Sequence, residues 1–194
     1  MTQERLVLAS GSPYRRALLD RLGLSFICDA PGIDEARKEH EPPVDYVARL
    51  AREKAQAVAH RHPQGLIIGS DQAAVRDETL LGKPGTLERA RAQLLAASGR
   101  RVTFLTGLCL LDAASGECQL DVVPYAVMFR ELDELTVERY LAREPALDAA
   151  GSFHAEGLGV SLFTAMEGED PTALIGLPLI RLTDFLRRAG ITVP

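Results

Sequence analysis

The chain has 194 residues, and its 22 lysines and arginines are outnumbered by 27 aspartates and glutamates, for a formal net charge of −5. With 46% hydrophobic and 25% charged residues, it has the composition of a soluble globular protein, which excludes disorder, collagen and coiled coil. The apolar runs are too short for a membrane span, the N-terminus does not read as a signal peptide, and the acidic balance argues against a general nucleic-acid binder.

The N-terminal third is predicted to alternate strands and helices. Residues 6–9 form a short apolar run that is typical of a buried strand. Ser12 is a suitable N-cap and Pro13 a suitable first helical residue, so a helix should follow at once and end at Gly23. Between Val44 and His60, apolar residues recur at helical spacing, which predicts a second helix.

The remaining elements continue this alternation. Residues 65–70 are predicted to form a buried strand that delivers Asp71 and Gln72 at its C-terminal end, and a hairpin is expected at Asp77 and Glu78. Further on, we predict helices over 86–98, 136–143 and 178–188, strands over 102–111 and 119–130, and a glycine-rich loop over 151–159. No repeat or long linker divides the chain, so we expect one mixed α/β domain over residues 1–194.

The cysteines and histidines do not indicate a metal site. Three cysteines, at positions 28, 109 and 118, match no metal-ligand spacing, and we predict three free thiols in a reducing cytoplasm. The histidines also lack such a spacing and are expected to be surface or loop residues: His40, His60, His62 and His154.

The turn between the first strand and the first helix carries the groups that bind a phosphate. A helix N-terminus attracts anions, and here it is surrounded by the hydroxyls of Ser10 and Ser12, by Gly11, and by Arg15 and Arg16. Two cations in a first turn oppose the helix dipole, so they destabilise the helix unless an anion compensates. The alternative is a capped helix with arginines in solvent. The pattern of a P-loop is absent.

Two acids and two lysines complete the candidate site. Asp71 follows an apolar strand, where open α/β sheets place ligands, although a turn-capping role is the alternative. Glu35 alone would be a solvated loop residue, but together the two carboxylates can hold Mg²⁺. Lys54 interrupts a helical apolar face, where it either extends to water or meets an anion. Lys83 is either a surface residue or a cation on a constrained loop. Because no side-chain nucleophile is evident, this set suits metal-assisted attack of water on a polyphosphate.

The chain also contains a series of motifs in a recognisable order. The first is Leu8-Ala9-Ser10-Gly11-Ser12-Pro13-Tyr14-Arg15-Arg16. Those that follow are Asp34-Glu35, Ala51-x-x-Lys54-Ala55, Ile68-Gly69-Ser70-Asp71, Gly82-Lys83-Pro84, Ser98-Gly99-Arg100, Ala150-Gly151-Ser152 and Gly176-Leu177-Pro178-Leu179. Together they resemble the Maf family of nucleoside triphosphate pyrophosphatases over essentially the whole chain.

The resemblance is strongest to the branch of that family whose bacterial members hydrolyse 7-methyl-GTP. This branch has Ser-Asp-Gln where other Maf proteins have Asp-Thr, and the chain has Ser70-Asp71-Gln72. It also shares Gly-Ser-Phe-x-x-Glu-Gly, here residues 151–157, and Asp-Pro-Thr, here residues 170–172. An aromatic residue often follows the Ser-Pro of the first motif in this branch, and Tyr14 stands there.

The resemblance implies a fold, an activity and a set of roles. The fold is a Maf/ITPase-like mixed sheet with flanking helices and two lobes around a central cleft. The activity is cleavage between the α- and β-phosphates by a cytoplasmic enzyme that uses Mg²⁺ or Mn²⁺ and can form a homodimer. Asp71 is implied as proton acceptor and metal ligand, with Glu35 as second metal ligand. Residues implied to face the triphosphate are Ser10, Arg15, Lys54 and Lys83, and those implied to select the base are Tyr14, Gln72 and Glu156.

Three other interpretations compete with this one. A Maf-type pyrophosphatase that prefers dTTP, UTP or CTP would share the fold, but Gln72 and Glu156 argue against it. A non-catalytic nucleotide-binding regulator of cell division would bind without turnover, and the complete set of acids and lysines argues against that. A structural α/β protein with accidental charge placement is inconsistent with motifs that run along the whole chain.

Overall fold

The computed structural model describes residues 6–193, where a seven-stranded mixed sheet is flanked by five α-helices. The strands are β1 (Leu6–Leu8), β2 (Ile27–Cys28), β3 (Leu66–Arg76), β4 (Thr79–Leu81), β5 (Arg101–Asp112), β6 (Cys118–Phe129) and β7 (Phe163–Glu167). The helices are α1 (Pro13–Asp20), α2 (Pro43–Ala59), α3 (Leu87–Ala97), α4 (Glu134–Arg143) and α5 (Leu179–Arg188). Two 3-10 helices, Leu158–Leu162 and Pro171–Ile175, complete the C-terminal third. None of the helices in this range has the length and apolarity that crossing a membrane requires.

The sheet combines parallel and antiparallel pairing. Its order is β2-β1-β3-β5-β6-β7, with β4 paired to β3 outside this path. β1 is parallel to β2 and β3, whereas the other pairs are antiparallel. Leu8, the last residue of β1, pairs with Ile68 near the start of β3. The rest of β3 therefore runs beyond the parallel part of the sheet.

The hydrophobic core is divided into clusters at the two ends of the long strands β3, β5 and β6. We call these two ends, with the helices packed on them, the two lobes. In the first lobe, α1 and α5 pack on one face of the sheet and α2 on the other. Ile68 faces α1 and α5 while Ile67 faces α2, because successive strand side chains point to opposite faces. In the second lobe, α3 and α4 pack on an aromatic cluster formed by Phe104, Phe129, Phe153 and Phe163. The expected mixed α/β architecture with flanking helices is confirmed.

Two elements that depend on local residues are confirmed in detail. Ser12 is the N-cap of α1 and its side chain accepts a hydrogen bond from the backbone N–H of Arg15, while Pro13 is the first helical residue. The hairpin between β3 and β4 turns at Asp77 and Glu78, whose φ angles are 47° and 66°. Two residues with positive φ give a turn whose twist matches that of the flanking strands.

α2 begins and ends within a residue of its predicted bounds, but its buried face is shifted. Val44, which we expected on the apolar face, is 47% exposed. The buried face begins at Val47 and includes Lys54, which is only 5% exposed. A lysine in the middle of a packed helix face requires a partner, because an isolated buried ammonium is unfavourable.

The predicted end of the third strand was wrong. β3 continues to Arg76, so Asp71 and Gln72 lie in its middle rather than at its C-terminal end. It continues because it pairs with β5 as far as Val75. Asp71 nevertheless lies just past the end of β1, the parallel neighbour of β3.

Three short elements near the C-terminus were not predicted. The glycine-rich segment that we expected to be a loop as far as Gly159 enters a 3-10 helix at Leu158. β7 and the second 3-10 helix follow, and most of the β7 residues are exposed. An exposed five-residue strand shows no hydrophobic periodicity by which it can be recognised.

The three cysteines are free thiols, as predicted. Cys109 on β5 is buried and Cys118 on β6 is exposed, yet their sulfur atoms lie 2.9 Å apart across the two strands. Burial raises the pKa of the Cys109 thiol, which favours its protonated form at neutral pH.

Gly69 marks the closest approach of α2 to β3. A Cβ atom at this position would overlap the carbonyl oxygen of Ala51, so Gly69→Ala must push the helix away from the sheet. We expect a loss of about 1–3 kcal/mol in the free energy of unfolding, measured by urea denaturation. Gly82→Ala is the control, because a Cβ there has no neighbour within 4 Å. Equal losses in the two variants would show that this close approach is unimportant.

Candidate active site

A cleft of about 590 Å³ opens between the two lobes. Its walls come from the turn after β1, the loop before α2, α2 itself, the middle of β3, the loop after β4, and residues 148–156. All nine site residues proposed from the sequence line it: Ser10, Tyr14, Arg15, Glu35, Lys54, Asp71, Gln72, Lys83 and Glu156. The fold thus brings together residues from almost the whole length of the chain.

The floor of the cleft holds two carboxylates around one ammonium group. Lys54 Nζ lies 2.6 Å from Asp71 Oδ1 and 2.7 Å from Glu35 Oε1. Lys54 and Asp71 are buried, whereas the Glu35 side chain is 54% exposed. Burial raises the pKa of Asp71 above its usual value, although the nearby Lys54 ammonium acts in the opposite direction. In the described part of the chain only Oδ1 of Asp71 has a hydrogen-bond partner, so Oδ2 is left to a ligand or solvent.

This arrangement suits a hard divalent cation. The carboxylates of Glu35 and Asp71 converge on one nitrogen, at 2.7 Å and 2.6 Å, so both face the same point of the cleft floor. Within residues 6–193, no cluster of three or more His, Cys, Asp or Glu side chains could form a metal site. Two carboxylates are nevertheless enough for Mg²⁺, which commonly keeps several waters and takes other oxygen ligands from substrate phosphates. The donor set therefore fits Mg²⁺ or a similar ion.

At one end of the cleft, Arg15 lies near the carboxylates of Asp71 and Glu35. Arg15 Nε donates a hydrogen bond to the carbonyl oxygen of Gly176 at 2.8 Å, which holds the guanidinium at the wall. Ser10 is buried in the wall of the same cleft, and Lys83 extends into it from an exposed loop. Arg16, which the sequence grouped with Arg15, is exposed and is not among the residues that line the cleft. Only one of the two first-turn arginines is therefore placed to meet an anion in the cleft.

The other end is aromatic and acidic. The rings of Tyr14 and His154 are stacked, with centroids 5.4 Å apart and an interplanar angle of 27°. His154 Nε2 lies 3.5 Å from Asp148 Oδ1. Partial burial raises the pKa of Tyr14, and the carboxylates of Asp148 and Glu156 raise it further. Acidic side chains therefore lie close to the Tyr14 ring at this end of the cleft.

His154 and Tyr46 are cleft residues that sequence reasoning missed. We expected His154 to be a surface or loop residue; it does lie in a loop, but its half-buried ring lines the cleft. No periodic pattern indicated its place, because residues 155–157 form a turn rather than an extended segment. The Tyr46 hydroxyl donates to the backbone oxygen of Glu35 at 2.9 Å. No sequence pattern indicates that contact, because it depends on the path of an irregular loop.

These features place the chain among α/β proteins with a charged cleft between two lobes of one sheet. The family model described as Maf-like protein matches residues 5–189, so the chain belongs to the Maf family. It is 61% identical to a protein named 7-methyl-GTP pyrophosphatase from Pseudomonas syringae pv. tomato. The 189 aligned residues cover 97% of this chain and 98% of that protein. Proteins with the same name from Pseudomonas putida and Alkalilimnicola ehrlichii are each 60% identical to it. The first alignment covers 97% of this chain and 98% of the relative, and the second covers 95% of this chain and 93% of the relative.

A solved structure shows the same fold at much lower sequence similarity. The Staphylococcus aureus Ham1 protein superposes with a TM-score of 0.54 over 95% of this chain and 98% of its own, at 13% identity. At that identity the likeness concerns the fold alone. It confirms the Maf/ITPase-like arrangement that the sequence resemblance implied.

Proposed function

We propose that the chain is a nucleoside triphosphate pyrophosphatase that hydrolyses the α–β anhydride of 7-methyl-GTP to 7-methyl-GMP and pyrophosphate. The observation that carries this proposal is the difference between the groups at the two ends of the cleft. Arg15 and Lys54 lie near Asp71 at one end, whereas Tyr14 lies near Glu156 and Asp148 at the other. A 7-methylguanine nucleotide has groups to match both, because its phosphates are anionic and its methylated base is cationic. The names of the relatives support the same substrate.

Asp71 is the proton acceptor in this proposal. A water molecule beside Oδ2 loses its proton to Asp71 as its oxygen attacks the phosphate, and a carboxylate with a raised pKa is a better base. Lys54 holds the carboxylate in place through Oδ1. Arg15, Ser10 and Lys83 bind the triphosphate and offset the charge on the departing pyrophosphate. A divalent cation, Mg²⁺ or Mn²⁺, held by Glu35 and Asp71, supplies further stabilisation of phosphate charge when bound.

Base selection is assigned to the aromatic end. Tyr14 can stack on the cationic base and contribute about 0.5–2 kcal/mol through a cation–π interaction. The Glu156 carboxylate can accept hydrogen bonds from the ring N–H and the amino group of guanine, or attract the positive ring. Uracil lacks both that donor pair and that charge, so the same contacts disfavour UTP.

Glu156→Gln should therefore lose more activity on 7-methyl-GTP than on UTP. Removing the charge weakens a hydrogen-bonded contact to the cationic base, for which we expect about a tenfold fall in the ratio of the two kcat/KM values. Glu169→Gln is the matched control, because Glu169 is exposed and is not among the cleft-lining residues. Equal losses on both nucleotides would remove Glu156 from base selection.

The proposed function is tested by pyrophosphate release from a panel of nucleotides that includes 7-methyl-GTP, GTP, UTP, CTP and dTTP, with and without Mg²⁺. Chromatography of the products shows whether the monophosphate forms directly. A preference for a pyrimidine nucleotide would support the alternative Maf-type specificity. Binding without release of pyrophosphate from any nucleotide would instead favour the nucleotide-binding regulator.

We also propose the setting in which the protein works. It is a single domain over residues 1–194 that acts in the cytoplasm on free nucleotides rather than on nucleic acid, and that can form a homodimer. The net charge of −5 supports the choice of free nucleotides, since nucleic-acid affinity comes from neutralising many phosphates. Light scattering after size-exclusion chromatography tests the assembly.

A further inference from the structure

The side-chain amide of Gln72 is held from one side. Its Nε2 lies 2.7 Å from the carbonyl oxygen of Ala173, 3.1 Å from that of Leu174 and 3.1 Å from Thr106 Oγ1. Carbonyl oxygens only accept hydrogen bonds, so the nitrogen of the amide must face them. In the described part of the chain Oε1 has no hydrogen-bond partner, and Gln72 lines the cleft. Gln72 therefore presents an acceptor to whatever occupies the cleft.

Thr106 is placed to keep this orientation. It is fully buried on β5, directly opposite Gln72 in the pairing with β3. Its hydroxyl donates to the carbonyl oxygen of Ala173 at 2.8 Å, so a lone pair of Oγ1 is left to face the Gln72 nitrogen. The hydroxyl thus ties two groups together, the amide of Gln72 and the 3-10 helix that follows Asp170.

That 3-10 helix has a second anchor at its start. The buried carboxylate of Asp170 accepts hydrogen bonds from the backbone N–H of Thr172 at 3.0 Å and from that of Ile180 at 2.8 Å. Asp170 thus fixes the start of the helix, whereas the Thr106 hydroxyl is a side-chain anchor at the Ala173 carbonyl itself. A flip of the amide would set Oε1 against two carbonyl oxygens, which repel it.

We propose that Thr106 is a positioning residue for base selection, which holds the Gln72 amide so that Oε1 accepts a hydrogen bond from an exocyclic amine of the base. The inference rests on the proposed function, because it concerns the same cleft. It defines a substrate class: guanine, adenine and cytosine carry such an amine, whereas hypoxanthine, uracil and thymine do not. A keto oxygen in that place would meet the lone pairs of Oε1.

The test compares the binding of 7-methyl-GMP and 7-methyl-IMP, which differ only by the exocyclic amine. By calorimetry we expect the wild-type chain to bind the first about tenfold more tightly, as one hydrogen bond to a buried partner implies. Thr106→Val keeps the shape of the side chain and removes its hydroxyl, and should reduce this preference to about twofold or less. Thr106→Ser restores the hydroxyl and should restore the preference. Gln72→Met, which removes the acceptor itself, should lose it as well.

Several results would overturn the inference. An unchanged preference in Thr106→Val, an equal loss of affinity for both ligands, or failure of the wild type to bind either monophosphate would each do so. Thermal unfolding of each variant checks that the fold persists. Pyrophosphate release by the wild type is measured separately. Its absence, with the binding preference intact, would remove the proposed function and leave the role of Thr106 standing.

Discussion

Asp71→Asn should lower kcat for pyrophosphate release from 7-methyl-GTP by about 10³-fold or more, because the proton of the attacking water loses its acceptor. The chain should remain folded, since the replacement has the same shape and its amide oxygen can still accept from Lys54 Nζ, which lies 2.6 Å from Asp71 Oδ1. Single-turnover kinetics at saturating nucleotide, together with circular dichroism, measure the two properties separately.

The matched control for this variant is Asp77→Asn. Asp77 is an exposed residue in the turn that follows the same strand, and its positive φ is also acceptable to asparagine. We expect kcat to be unchanged in this control. If Asp71→Asn instead retained the wild-type rate, Asp71 would not be the proton acceptor, and water activation would have to be assigned elsewhere.

Lys54→Met should have the second large effect, on stability and activity together. The substitution leaves the buried Asp71 carboxylate without its 2.6 Å partner, which should cost about 3 kcal/mol in the free energy of unfolding. It also removes a cation from the cleft floor, for which we expect at least about a 10²-fold loss of kcat/KM. Urea denaturation and steady-state kinetics measure the two losses.

The stability loss in Lys54→Met should depend on pH. Burial already raises the pKa of Asp71, and removal of the Lys54 ammonium raises it further. When the pKa of a carboxyl group is higher in the folded state than in the unfolded state, the ionised form of that group destabilises the fold and the protonated form does not. The deficit should therefore be largest at neutral pH and shrink as the pH falls and the carboxyl takes up a proton. Lys38→Met, at an exposed lysine, is the control and should show no such pH dependence.

Elements governed by neighbouring residues were predictable from the sequence. α1 follows from an N-cap at Ser12 and a proline at Pro13, and the β3–β4 hairpin from its two-residue turn. β7 was not predictable, because an exposed short strand exists only through its pairing with β6. The end of β3 was misplaced because the sequence predicted two separate pieces, the strand over 65–70 and the hairpin arm before Asp77, which pairing with β5 joins into one strand.

The residue types of the candidate site could likewise be chosen from motifs and chemistry. Hydroxyls, arginine, lysines and carboxylates at those positions indicated a phosphate and a metal before any contact was known, and all nine side chains line one cleft. The sequence did not show which partner each of these groups contacts. Lys54 could have extended to water or met an anion, and only the fold shows that it joins Glu35 and Asp71.

The orientation of each group depends on segments that are distant in sequence. Arg15 is held by a carbonyl 161 residues away, and the amide of Gln72 by one 101 residues away. The chemical nature of a side chain is a property of the residue itself, so composition and motifs are enough to identify it. Its direction, burial and pKa depend on what packs around it, so the orientation of the Gln72 amide and the place of His154 in the cleft emerge only once the lobes have folded together.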